Sequence, residues 1–204
     1  MKEIRWGIIG CGNVTEVKSG PAFSKVPGSR LVAIMRRDAK LAEDYAKRHG
    51  VPKWTSDADV VITDPEVDAV YVATPVASHF TYALKVCEAG KPCYVEKPMA
   101  RNATEAKKMV DAFKAADLPL FVAYYRRRLP RFLKVKELVE SGAIGTLTSV
   151  SYRHGSAAHT RVASPLPWRL KPELSGGGLF MDIGCHTLDI IDYSAVDTDG
   201  PVGF

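Results

Sequence analysis

The sequence has little that would commit it to an extracellular, membrane-bound or metal-bound existence. Its 204 residues include four cysteines, Cys11, Cys87, Cys93 and Cys185, whose spacing fits neither a metal site nor a disulfide framework. Free thiols in a reducing compartment, with no bound metal, are expected. No apolar run approaches the ~18 residues of a membrane helix, which argues against a membrane protein. No basic-then-apolar leader precedes the first apolar segment at Ile4, so nothing suggests export, and the expected location is the cytoplasm. A strong charge of one sign is lacking too. The net charge is +5, it is scattered, and the one basic cluster, Arg126-Arg127-Arg128, is too short to argue for nucleic acid. It reads better as a solvated helix start or a contact to an anionic ligand.

What is present is an ordinary globular composition, 46% hydrophobic and 25% charged, with enough chain for one large core or two small ones. The organising stretch is Ile4-Arg5-Trp6-Gly7-Ile8-Ile9-Gly10-Cys11-Gly12-Asn13-Val14-Thr15. It reads as a buried strand entering a glycine turn and then a helix. Gly10 permits the turn. Gly12 lets the backbone come close to a diphosphate, so Gly10, Gly12, Asn13 and Val14 are candidate cofactor contacts. Thr15 stands where a third glycine is usual.

Further along, apolar strands at 30–35, 69–73, 92–95 and 120–123 alternate with helices at 39–49, 78–89 and 102–115. The first helix, 13–25, is expected to be interrupted around Gly20-Pro21. Strands that are apolar on both faces and alternate with helices predict an α/β fold, an N-terminal Rossmann-type doubly wound parallel sheet over residues 1–123. From residue 124 the pattern changes. A helix at 129–140, an alternating stretch at 146–153 that predicts an open-sheet strand, an irregular excursion at 157–174 and a helix at 179–193 suggest a second domain. We expect residues 124–204 to be the start of an α+β domain that the chain does not complete.

The residue that usually holds the adenine ribose lies at the end of the second strand and is acidic. Here Arg36 and Arg37 occupy that place. A guanidinium grips a 2′-phosphate where a carboxylate would repel it, which favours NADP, with NAD as the alternative. Asp38 reads as a helix cap. Thr74, Pro75 and His79 follow the next strand, and Glu96-Lys97-Pro98 follows the one after. These are the strand ends where ligands bind in such sheets, so Thr74, Pro75, His79, Glu96 and Lys97 are candidate cofactor contacts, with packing or capping as the competing role of His79. Lys97, partly desolvated near a positive nicotinamide ring, would have a lowered pKa and could exchange a proton with a substrate hydroxyl. Pro98 could support a cis peptide. On the last helix Asp182, His186 and Asp189 fall at i, i+4 and i+7 and share a face. A histidine beside a carboxylate can take and return a proton near neutrality. The entry through Gly176-Gly177-Gly178 implies a close backbone approach.

Gly10-Cys11-Gly12-Asn13, Glu96-Lys97-Pro98 and Gly176-Gly177-Gly178…Asp182-x-Gly184-x-His186-x-x-Asp189, in this order, resemble the Gfo/Idh/MocA oxidoreductases over residues 3–193. The resemblance implies a nicotinamide-dependent enzyme acting on a sugar, inositol or related polyhydroxy compound. Lys97, Asp182 and His186 would line the reaction centre, His186 as general acid/base and Lys97 orienting and polarising the reacting oxygen. Two other readings are carried with it: a dinucleotide-binding fragment with little activity of its own, and a family relative using NAD transiently in glycoside hydrolysis. Family members usually continue into a large open sheet that walls the substrate pocket. This chain stops soon after the Asp-x-Gly-x-His helix and so looks like a truncated or partial gene product; a completed sheet would offer a route to homo-oligomers.

Overall fold

The structure is a computed structural model that describes residues 3–153, 167–178 and 180–195. The chain falls into two compact units, Met1–Ala123 and Tyr124–Phe204.

The first unit is a six-stranded sheet in the order β3-β2-β1-β4-β5-β6, every neighbouring pair parallel. Its strands are β1 (Ile4–Ile9), β2 (Ser29–Met35), β3 (Lys53–Thr55), β4 (Ala69–Val72), β5 (Cys93–Val95) and β6 (Leu120–Val122). The helices are α1 (Asn13–Val17), α2 (Gly20–Lys25), α3 (Ala39–His49), α4 (Ala58–Thr63), α5 (His79–Glu88) and α6 (Ala103–Ala115). Strand order reverses between β1 and β4, which opens a crevice at their carboxyl ends. Because side chains alternate across a strand, consecutive residues feed two cores. Ile9, Val32, Val70, Val72 and Val95 pack with Val61, Val86, Met109 and Phe113 on one side. Ile8, Leu31, Ile34 and Tyr71 pack with Phe23, Tyr45 and Ala46 on the other. This two-sided burial is why the strands read as unbroken apolar runs. Gly7 belongs to the same packing, since a Cβ there would stand 2.6 Å from Val61 Cγ1.

Local chemistry sets the helix ends. Asp38 caps α3, its Oδ1 accepting from the Lys40 and Leu41 amides at 3.0 and 3.1 Å. Asp57 caps α4 and Asn102 caps α6. The expected interruption of the first helix falls at Lys18–Ser19, between α1 and α2. Strand β3 was not anticipated. It is three residues long, lies at the sheet edge and pairs only with β2, so it carries no apolar run to announce it.

In the second unit the described residues form α7 (Pro130–Glu140), α8 (Pro172–Ser175), a π-helical turn (Phe180–Gly184) and α9 (Cys185–Ala195). The strand expected at 146–153 is not formed. These residues are irregular and exposed, and none of the described residues supplies a neighbouring strand to satisfy their backbone. Residues 154–166, which take in the first part of the irregular excursion, lie outside the described residues, as do 196–204. Among the described residues no helix is long and apolar enough to cross a membrane, and no cluster of His, Cys, Asp and Glu could hold a metal ion.

Candidate functional site

The carboxyl ends of β1, β2, β4 and β5 carry the candidate residues of the first unit. After Ile9 the Gly10 and Cys11 amides both donate to Met35 O (2.9 and 3.1 Å), which locks the turn onto the end of β2. Gly10 has φ +89°, and a Cβ there would lie 2.7 Å from Thr74 Cγ2 and 2.9 Å from Thr74 N. The glycine is therefore required twice, by its own backbone and by the approach of the segment after β4. Gly12 differs. A Cβ at that position would meet nothing closer than Gly10 O at 3.9 Å, and the Gly12, Asn13 and Val14 amides donate to no backbone carbonyl among the described residues. Open donors around a bare glycine fit a diphosphate.

Thr15, in the place of the usual third glycine, is fully buried. Its hydroxyl donates to Gly12 O (2.8 Å), and its carbonyl accepts from the Tyr45 hydroxyl (3.1 Å). The clearance appears at Gly20 instead, where a Cβ would stand 1.8 Å from Thr15 O. Cys11 is buried in the turn, and burial pushes its thiol up to about 11, which removes it as a nucleophile. Arg36 is half-buried directly after β2 and Arg37 is exposed, while Asp38 is spent on the cap of α3.

At the end of β4 the Ser78 hydroxyl donates to Thr74 Oγ1 (2.8 Å) and Pro75 leads into a short 3-10 turn. His79 is 1% exposed, with Nε2 2.8 Å from Thr74 O and Nδ1 3.0 Å from Pro98 O. Each ring nitrogen lies within hydrogen-bond distance of a backbone carbonyl, so His79 sits between the segment after β4 and the segment after β5 and can donate to one of the two when neutral. Burial lowers its pKa, against those carbonyls. The Lys97–Pro98 peptide is cis. Glu96 and Lys97 are half-buried. Glu96 Oε2 accepts from the Lys97 amide (3.1 Å) and Oε1 accepts from the Tyr71 hydroxyl (2.5 Å). Burial raises the Glu96 carboxyl, opposed by the Tyr71 hydrogen bond and by Lys97. Lys97 is thus flanked by two backbone anchors, Glu96 before it and His79 through Pro98 after it. Tyr71 was missed in the sequence. The signal was there: a hydroxyl in a fully buried apolar strand needs a partner.

In the second unit the three glycines have φ of +79°, +158° and +67°. A Cβ at Gly177 would lie 2.6 Å from Met181 Cγ, and buried Ser175 Oγ accepts from the Gly178 amide at 2.8 Å. Asp182 falls in the π-helical turn, with its carboxylate 3.6 Å from Arg169 Nε. Gly184 allows that turn, because a Cβ there would press on the Phe180 ring at 2.9 Å. The continuous helix expected from 179 is therefore a π turn followed by α9, which changes the angular spacing between Asp182 and His186. His186 is 3% exposed and meets Tyr124 and Tyr125 edge-on, with centroids 5.9 and 5.2 Å away. Asp189 is held by Arg127, with Nη2 at 2.6 Å and Nε at 2.8 Å. That gives the middle arginine of the basic cluster an internal role. Burial raises the Asp189 carboxyl and the guanidinium opposes it.

Residues 4–124 match the family described as an oxidoreductase family with an NAD-binding Rossmann fold, GFO/IDH/MocA. Residues 132–197 match the GFO/IDH/MocA C-terminal domain. Oxidoreductase P35 of Formosa agariphila is 47% identical over 190 residues, which cover 92% of this chain and 59% of that protein. Levoglucosan dehydrogenase of Pseudarthrobacter phenanthrenivorans is 33% identical over 202 residues, 95% of this chain and 51% of that one. A solved levoglucosan dehydrogenase in complex with NADH and levoglucosan is 31% identical, with a TM-score of 0.81, over 95% of this chain and 54% of that chain. The chain thus spans little more than half the length of these relatives.

Proposed function

This chain belongs to the GFO/IDH/MocA oxidoreductase family, and from that premise we propose that it binds a nicotinamide dinucleotide and, with the remainder of such a protein, serves hydride transfer at a CH–OH group of a sugar-like polyhydroxy compound. The observation that carries the proposal is the glycine turn at the β1/β4 reversal, where a bare Gly12 and amides that donate to no backbone carbonyl among the described residues follow the turn packed on Thr74. Gly10, Gly12, Asn13 and Val14 would hold the diphosphate, and Arg36 and Arg37 the adenosine side, with a preference for the 2′-phosphate of NADP. Thr74, Pro75 and Glu96 would border the nicotinamide half. His79 contributes there by filling the space between the Thr74 and Pro98 carbonyls and donating to one of them. When bound, the nicotinamide supplies the hydride exchange.

The chain's own residues manage the proton and the position of the substrate. Lys97 orients and polarises the reacting oxygen, His186 takes or returns its proton, and Asp182 tunes that histidine. Sugars, anhydrosugars and inositols form the substrate class, in keeping with a relative solved with levoglucosan and another named scyllo-inositol 2-dehydrogenase. A second reading, a dinucleotide-binding chain without turnover of its own, keeps the glycine turn and drops the roles of Lys97 and His186. A fluorescence titration with NADH and NADPH, followed by a turnover panel of levoglucosan, scyllo-inositol and aldoses, separates the two. Binding with turnover supports the enzyme, binding without turnover supports the second reading, and no binding refutes both.

A further inference from the structure

Tyr71 is an unusual member of its strand. It is fully buried in β4, with its ring between Phe23 and Tyr94 at centroid distances of 5.1 Å each. These ring contacts account for its packing but not for its hydroxyl. That hydroxyl donates to Glu96 Oε1 (2.5 Å) and stands 3.0 Å from Ser19 Oγ. Ser19 lies between α1 and α2, and its backbone amide donates to Val14 O (3.0 Å) in the helix that follows the glycine turn. On the far side, Glu96 Oε2 receives the Lys97 amide (3.1 Å). The Glu96 amide itself donates to Val72 O (2.9 Å), so the backbone of Glu96 is fixed by the sheet. Its carboxyl group is fixed by Tyr71.

We propose that the Tyr71 hydroxyl is a positioning group for Lys97. By fixing the Glu96 carboxyl it holds the acceptor of the Lys97 amide, and through Ser19 it ties that lysine to the segment carrying the glycine turn. The inference rests on the reading that Lys97 serves the reacting oxygen. The physical reason is tolerance. A side chain that must meet a reacting atom has to be held to within about 0.5 Å, and its supporting hydrogen bonds do that work. With the chain Ser19–Tyr71–Glu96–Lys97 intact, the glycine turn and the lysine move as one body. Without the hydroxyl, the carboxyl keeps the bond from the Lys97 amide but loses its tie to β4.

The test is Tyr71→Phe in the full chain, because phenylalanine keeps the ring stack and removes only the hydroxyl. Amide hydrogen exchange read by NMR should show Lys97 exchanging at least about tenfold faster, while the amides of Ala69–Val72 and Cys93–Val95 keep the parent's protection. In an active preparation kcat should fall by about tenfold or more, with the NADH dissociation constant within about twofold. Lys97 exchange within twofold of the parent would overturn the proposal. Equal acceleration across β4 and β5 would also overturn it, because the hydroxyl would then be stabilising the sheet at large. A parent with no turnover on any compound would count against the enzyme reading alone, and the exchange comparison would still decide the role of Tyr71.

Discussion

At the scale of single residues, the two groups proposed to serve the reacting oxygen sit in contrasting surroundings. Lys97 is half-buried between two anchored peptides, and His186 is enclosed by two tyrosine edges. Lys97→Ala or His186→Ala is expected to lower kcat by about 10²-fold or more, while the NADH dissociation constant moves by less than about threefold. Steady-state kinetics paired with a fluorescence titration reads both, and an unchanged kcat would refute the roles. Arg36 and Arg37 allow a different comparison. Arg36→Ala with Arg37→Ala should weaken NADPH at least about tenfold more than NADH, because only the former has a phosphate for the guanidinium fork. Equal loss for the two would remove the argument for NADP.

At the scale of elements, α1 is joined to α3 through Glu16, whose carboxylate meets Arg48 Nη2 at 2.7 Å and His49 Nε2 at 2.8 Å. The Arg48 hydrogen bonds pull the Glu16 carboxyl from 4.5 down to about 2, with His49 acting in the same direction. A carboxyl depressed in the folded state stabilises above its unfolded value and loses that contribution as pH falls from about 4.5 to about 2. Glu16→Gln should therefore be less stable than the parent at neutral pH, and the two should converge by about pH 2. Urea midpoints measured across that range check this. The difference should be small and should shrink with salt, because Arg48 is half exposed.

The elements also show what a sequence displays and what it conceals. Ile8–Ile9, Leu31–Met35 and Val70–Val72 were legible because burial on both faces leaves unbroken apolar runs. Lys53–Thr55 was not, since an edge strand needs no such run. The alternation at 146–153 was a real pattern with no described neighbour to pair with. The π turn at 180–184 was hidden because it depends on Gly184 lying under the Phe180 ring, a contact that no periodicity encodes. At the site, the glycine turn and the Glu96-Lys97-Pro98 string announced themselves by composition. The Tyr71–Glu96 bond joins positions 25 apart and becomes visible only when β4 and β5 lie side by side.

At the scale of the whole molecule, all six strands, both core clusters and the glycine turn fall within residues 4–122. A chain of residues 1–123 should therefore unfold in one cooperative transition. It should bind NADH within about threefold of the 204-residue chain, a difference under about 1 kcal/mol. Circular dichroism in urea and a fluorescence titration check the two statements. A binding loss of tenfold or more would mean that residues beyond 123 hold the cofactor directly.

Gly20 gives the glycine fingerprint a wider meaning. A fingerprint written as glycines at fixed intervals would score Thr15 as a defect and ignore Gly20 altogether. In this fold the requirement is one of clearance, a place where two backbone segments touch with no side chain between them, and Gly20 leaves the Thr15 carbonyl that room. The contact is between backbones, so it belongs to the fold and not to the side chain at position 15. Relatives are therefore expected to carry glycine at the position of Gly20 whatever residue stands at the position of Thr15, because every residue there presents the same carbonyl.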